Sequence, residues 1–111
     1  MQFIKIRAVK DPIRNPAENA GIDFFVPDYN EDFAEAMRVK NFGNGTNVYA
    51  NGSELKDGVI YIAPRADIII PSGICSKFPA NLALIANNKS GVATKKKLIF
   101  GASVIDTSYQ G

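Results

Sequence analysis

From residue 59 onward, short apolar runs alternate with Gly, Pro or Asn. Val59, Ile60, Tyr61 and Ile62 end at Ala63-Pro64, residues 67–70 at Pro71-Ser72-Gly73, residues 74–78 at Pro79, and residues 82–86 at Asn87-Asn88. Residues 98–100 and 103–106 follow, with Gly101 placed to turn a hairpin between them. Runs this short, each closed by a residue that turns or breaks the chain, read as strands. Upstream, residues 3–9 carry Phe3, Ile4, Ile6 and Val9 and predict a first strand, and residues 22–26 predict a short one closed by Pro27. Asp11-Pro12 and Asn15-Pro16 punctuate a loop between them. Residues 29–40 differ in character. Glu31, Asp32, Ala34, Glu35 and Ala36 favour helix, and Phe33 and Met37 share one face at i,i+4 spacing. Residues 41–58 are rich in Gly and Asn and predict turns, with a hairpin around Val48-Tyr49. The whole pattern predicts an all-β fold, a jelly-roll-like barrel or sandwich, as one domain over residues 1–111. Residues 28–57 are expected to decorate the sheet as an insertion, too short to hold a core of their own.

Length and composition narrow the function. A domain of 111 residues buries only somewhat more than ~60% of its unfolded surface, so association between copies is a natural way to bury more. Hydrophobic residues make up 46% and charged residues 22%, which argues against wholesale disorder. A net charge of +2 is too balanced for duplex DNA or an anionic membrane surface. One cysteine, Cys75, allows no internal disulfide and suits a reducing compartment. With no histidine, a zinc site of the usual kind is excluded, whereas oxygen-ligated magnesium stays open. The start, MQFIKIRAVK, interleaves charge with apolar residues and resembles neither a signal peptide nor a membrane span. A soluble, cytoplasmic protein is expected.

Candidate chemistry concentrates in residues 87–111. Lys89, Ser90 and Gly91 form a small cationic turn in which a bare backbone, a hydroxyl and an ammonium suit phosphate oxygens, although a polar turn between strands is the commoner origin of such a segment. Asp106 ends an apolar run, where a partly buried carboxylate can activate water; a turn-capping Asp is the plainer reading. Tyr109 offers a ring to a sugar or base, or to ordinary packing. Asp23, in Ala20-Gly21-Ile22-Asp23, can orient water on a magnesium ion or stand as a surface acid. Lys95-Lys96-Lys97 reads first as a solvated strand edge protected against aggregation. Cys75 has no basic neighbour in sequence and reads as a small buried residue.

In this order the segments resemble the trimeric dUTP diphosphatases. Ala20-Gly21-Ile22-Asp23 matches the family's Ala-Gly-x-Asp. Asn88-Lys89-Ser90-Gly91-Val92-Ala93-Thr94-Lys95 stands where the family has Pro-Arg-Ser-Gly, an apolar residue and Ala-x-Lys. Ile105-Asp106-Thr107-Ser108-Tyr109-Gln110-Gly111 matches Ile-Asp-x-x-Tyr-x-Gly. The resemblance covers most of the chain outside residues 28–57. It implies hydrolysis of dUTP to dUMP and pyrophosphate with magnesium, in a homotrimer whose sites lie between subunits. Asp106 would then be the general base toward a water attacking the α-phosphorus, and Tyr109 would lie against the deoxyribose. The backbone from Gly101 to Val104 would read the uracil edge. Lys89, Ser90 and Gly91 would hold the phosphates, with a neighbouring subunit contributing, and Asp23 would act on magnesium through water. Two substitutions depart from the pattern: Lys89 stands for Arg, losing the bidentate fork, and Asn88 for Pro. The family also continues past this third motif with further strands, a fourth motif and a glycine-rich arm. A chain ending at Gly111 is therefore expected to turn over little or no dUTP. The alternatives are dCTP deaminase, which shares the fold, and a non-catalytic binding or regulatory module; a nucleic-acid partner is not expected. On this reading Asp106→Asn abolishes pyrophosphate release while dUTP affinity, measured by titration, stays nearly intact.

Overall fold

The computed structural model describes residues 2–41 and 46–109. Gly43, Asn44 and Gly45 of the expected turns, and Gln110-Gly111 of the third motif, lie outside the described residues. The elements run β1 (Gln2–Lys5), β2 (Ile13–Arg14), β3 (Ile22–Asp23), α1 (Glu31–Lys40), β4 (Glu54–Lys56), β5 (Val59–Tyr61), β6 (Ile74–Lys77), β7 (Leu84–Ile85), α2 (Ser90–Lys96) and β8 (Val104–Ile105). Among the described residues the strands pair only in twos, β1 with β6, β2 with β3, β4 with β5 and β7 with β8. The fold is thus made mostly of small strands with two helices, and among the described residues no barrel closes. The chain divides into two compact units, one of Lys5–Ile74 and one of Met1–Ile4 with Cys75–Gly111.

The Lys5–Ile74 unit is organised by α1. Asn30 caps it: the backbone is extended there, and the side-chain oxygen accepts the Phe33 N–H at 2.9 Å. Glu31 and Asp32 sit in the first turn and Arg38 and Lys40 in the last, matching the helix dipole. The predicted i,i+4 face is the buried one, with Phe33 1% and Met37 0% exposed. These residues, with Ala34, pack on Tyr49 and Leu55, and Ile60, Ile68 and Ile70 close the cluster. Full burial of Phe33 and Met37 contributes about 1.5–3 kcal/mol each. All five central residues of this core lie within 28–57, the segment expected only to decorate a sheet. The sequence reading missed this because the segment completes its core with three isoleucines from outside it.

Polar side chains do much of the joining. The Asn41 carboxamide is buried and fully bonded. Its Oδ1 accepts the Ile69 N–H at 2.7 Å, and its Nδ2 donates to the Ile69 carbonyl at 2.7 Å and to the Met37 carbonyl at 3.0 Å. One side chain therefore closes the end of α1 and serves the peptide groups of Ile69 as a strand partner would. At Ile69, within residues 67–70 predicted as a strand, the groups a ladder would pair are therefore already taken, and no strand forms there. Ser53, 0% exposed, works the same way, accepting the Ala63 N–H on Oγ at 3.0 Å and the Tyr49 N–H on its carbonyl at 2.9 Å. Arg38 reaches from α1 to Glu31, Glu35 and the Asn47 side chain at 2.8–3.0 Å.

Other boundaries moved for similar reasons. The first strand stops at Lys5, not Val9, because the Ile6 N–H turns to the Gly73 carbonyl and the Ala8 carbonyl accepts from Asp28. The loop read over residues 11–16 contains β2, whose Ile13 pairs with Asp23. The hairpin expected around Val48-Tyr49 has its bend at Ala50–Gly52, between the Tyr49 and Ser53 backbones. A second turn, Asp57-Gly58, joins β4 to β5 with both residues at positive φ (53° and 74°). Gly73 is required sterically: a Cβ there would lie 2.8 Å from Arg7 Cγ and 3.1 Å from Pro27 Cγ, at φ +71°.

Two substitutions separate the contributions in this unit. Asn41→Ala should cost about 2–4 kcal/mol in urea unfolding, because it removes three hydrogen bonds of a buried side chain and leaves the part-buried Ile69 N–H and carbonyl without that partner. The Tyr49 hydroxyl, by contrast, is buried with no hydrogen-bond partner, and burial pushes its pKa up. Tyr49→Phe should leave stability unchanged or raise it by up to about 1 kcal/mol in the same assay.

Candidate functional site

The unit containing Cys75–Gly111 is built differently. None of residues 75–109 is buried. Its main ladder pairs Leu84 with Ile105 and Ile85 with Val104, and the Ala86 N–H extends it to the Ser103 carbonyl at 2.7 Å. Asn88 Oδ1 then accepts the Phe100 N–H at 2.8 Å, so residues 88 and 100 close the base of the intervening loop. Two expectations fail here. Residues 98–100 form no strand, so no hairpin turns at Gly101; β8 pairs with β7 instead. The lysine run is not a strand edge either: residues 90–96 form the short helix α2, which has no side-chain N-cap bond, no acid in its first turn and no buried residue. Gly91 and Thr94 are poor helix formers, so the local signal for this helix was weak.

Asp106 begins a tight turn directly after β8. Its Oδ1 accepts the Ser108 N–H at 2.9 Å and the Ser108 hydroxyl, and its carbonyl accepts the Tyr109 N–H at 3.3 Å. The Ser108 hydroxyl, then the Ser108 N–H, hold the carboxyl below its ordinary pKa, with slight desolvation opposing them. The carboxylate is therefore ionised at neutral pH and oriented by its own turn, which is also the turn-capping role the plainer sequence reading assigned it.

This turn forms one side of a cleft of about 390 Å³, to which Asp106, Thr107 and Tyr109 contribute. Cys75, Ser76, Lys77 and Phe78, on and just after β6, form the other. The volume is within the range of small-molecule sites. Asp106 and Tyr109 thus line the same cleft. Lys77 and Ser76 join them although the sequence gave no hint, because a lysine and a serine on an alternating strand look like any solvent face. Cys75, expected to be buried, is half-buried and lines the cleft.

Lys89, Ser90 and Gly91 are elsewhere. The register sets Asp106 beyond the Leu84 end of the ladder and Lys89 beyond the Ala86 end. At about 3.3 Å per residue, the two ends are on the order of 15 Å apart within one chain. Val104 is 68% exposed on β8, and Gly101 is exposed in the bend before it. Of the backbone expected to read a base, the Ser103 carbonyl already accepts from Ala86. Asp23 lies in the Lys5–Ile74 unit, half-buried on β3, and the loop leading to it is stitched by Arg14, which donates to the Asn19 and Gly21 carbonyls. Among the described residues, no group of three or more acidic, histidine or cysteine side chains is assembled to hold a metal ion, and no helix is long and apolar enough to cross a membrane.

Comparison with protein-family models, with curated proteins and with solved structures found no match. Within the chain, the motif glycines stand apart from Gly73: a Cβ added to Gly91 or to Gly101 meets nothing within 4 Å. In urea unfolding Gly91→Ala should therefore leave stability unchanged or raise it by up to about 1 kcal/mol, whereas Gly73→Ala should lower it by about 1–3 kcal/mol.

Proposed function

We propose that the chain is a dUTP diphosphatase-like hydrolase of jelly-roll type that works as a homotrimer, with each site shared between copies. The observation that carries this is the cleft, which sets an ionised, hydrogen-bonded Asp106 beside the Tyr109 ring. In the reaction, water gives a proton to Asp106 and its oxygen bonds to the α-phosphorus. The bond from that phosphorus to the bridging oxygen breaks, and pyrophosphate leaves with the electron pair. Such a step needs positioning and charge neutralisation more than covalent help. Tyr109 would pack on the deoxyribose and Gly101–Val104 would meet the base.

The ladder supports sharing between copies. A triphosphate on Asp106 cannot also lie on Lys89, Ser90 and Gly91 of the same chain if those groups stay at the far end of β7 and β8. The turn of a second copy would supply them, and the open space around Gly91 leaves room for that approach. The exposed surface fits such an assembly. Ile85, Ile99, Phe100 and Val104 are each 56–76% exposed in a unit with no buried residue among those described after Cys75. Charge fits too: the unit containing Cys75–Gly111 has five lysines against one aspartate, and the Lys5–Ile74 unit eight basic against ten acidic residues. Net charges of +4 and −2 favour head-to-tail contact between copies. Magnesium would be carried mainly by the phosphates, with Asp23 addressing it through water, and would supply charge neutralisation.

Calorimetry with an α,β-imido analogue of dUTP and magnesium, beside light scattering, tests this reading. The analogue should bind in preference to its dCTP counterpart, to a particle three times the 12.0 kDa chain mass. Lys89→Ala should weaken binding by about tenfold or more, the scale of one charge-assisted contact. A monomer that binds no nucleotide would overturn the proposal. Ammonia released from dCTP would favour the deaminase, and retained assembly without nucleotide binding would favour a regulatory module.

A further inference from the structure

The hydrolase reading leaves open what fixes the base. An exposed aspartate has two freely rotating side-chain bonds and no reason to hold one carboxylate orientation. Here the orientation is imposed from two residues downstream. The Ser108 N–H and hydroxyl converge on Oδ1 of Asp106, and the Tyr109 N–H closes the same turn on the Asp106 carbonyl. Ser108 therefore ties the carboxylate to the backbone that also presents the Tyr109 ring to the cleft.

We propose that Ser108 is a positioning residue for Asp106, holding Oδ1 so that Oδ2 is the oxygen that takes the proton from water. This inference rests on the hydrolase reading above. A neutral hydroxyl suits the role: it orients the carboxylate and keeps it ionised, yet reduces its basicity less than a paired cation would. The titratable groups that share the cleft with Asp106 are Cys75 and Lys77 on β6 and Tyr109 on the turn. None of their charges is among the causes that hold Asp106 below its ordinary value; those are the bonds from Ser108 and the Tyr109 N–H. Thr107, the intervening residue, lines the cleft but makes neither bond to Oδ1.

The test compares wild type, Ser108→Ala, Ser108→Thr and Asp106→Asn by two readouts. One is carbon-13 titration of the Asp106 carboxyl. The other is pyrophosphate release from dUTP with protein in excess and magnesium present. Ser108→Ala should raise the proton affinity of Asp106 by about threefold to tenfold, the effect of losing one hydrogen bond to an exposed charge. It should slow release by about tenfold with dUTP affinity within about twofold, and Ser108→Thr should restore both. A wild-type titration midpoint or an unchanged rate in Ser108→Ala would overturn the role of Ser108 alone. Turnover that survives Asp106→Asn, or no binding of the imido analogue of dUTP by wild type, would sink the hydrolase reading and this inference with it.

Discussion

The buried carboxamide of Asn41 is the interaction on which the Lys5–Ile74 unit depends. It spends both of its amide hydrogens and its oxygen on backbone groups, two of them on a residue 28 positions away. A helix end leaves carbonyls without partners, and a lone extended segment leaves both its N–H and C=O groups without them. Asn41 removes both deficits at one point and so fixes residues 67–70 against the end of α1. Ser53 does a similar service for the Ala63 N–H, and Asn51 for the Asp67 carbonyl. Side-chain to backbone bonds of this kind explain how ladders of two strands suffice: the peptide groups are satisfied without a broad sheet.

The unit that carries the cleft has no such anchor. Its described residues after Ile74 are half-buried or exposed, and large apolar side chains are exposed on β7, on β8 and in the segment between them. Its polar bonds lie within turns and across two narrow ladders, β1 with β6 and β7 with β8. Order at the cleft therefore comes from local turn geometry and from these ladders, and the assembly proposed above would cover the apolar surface. Asp106 and Tyr109 stand on the turn after β8, whereas Lys89, Ser90 and Gly91 stand at the start of α2.

Several features were legible in the residues alone. The i,i+4 pair Phe33 and Met37 identified the buried face of α1, because helical periodicity reports burial directly. Short apolar runs located β5, β6, β7 and β8 to within a few residues, and the end of the last run located Asp106. The cap Asn30, the closing role of Asn41 and the clamp of Ser108 were not legible. Each acts through one side chain reaching a backbone group, and such bonds leave no period in the sequence. The helix α2 was missed because it lacks both a cap and a buried face, the two signals by which a helix is recognised.

Taken by itself, the sequence determined the buried face of α1, that the chain's residues allow no internal disulfide, and which residues among 87–111 are candidates for chemistry. The tertiary structure alone decided which of those residues meet. Register is a property of two strands, not of either one, and the pairing of Leu84 with Ile105 is what puts Asp106 and Lys89 at opposite ends of the same ladder. It likewise decided that Lys77, unremarkable on its strand, shares a cleft with Asp106 and Tyr109. Composition and periodicity describe what each residue prefers beside water or beside oil; the position of a distant partner is fixed only when the whole set of such preferences is satisfied together.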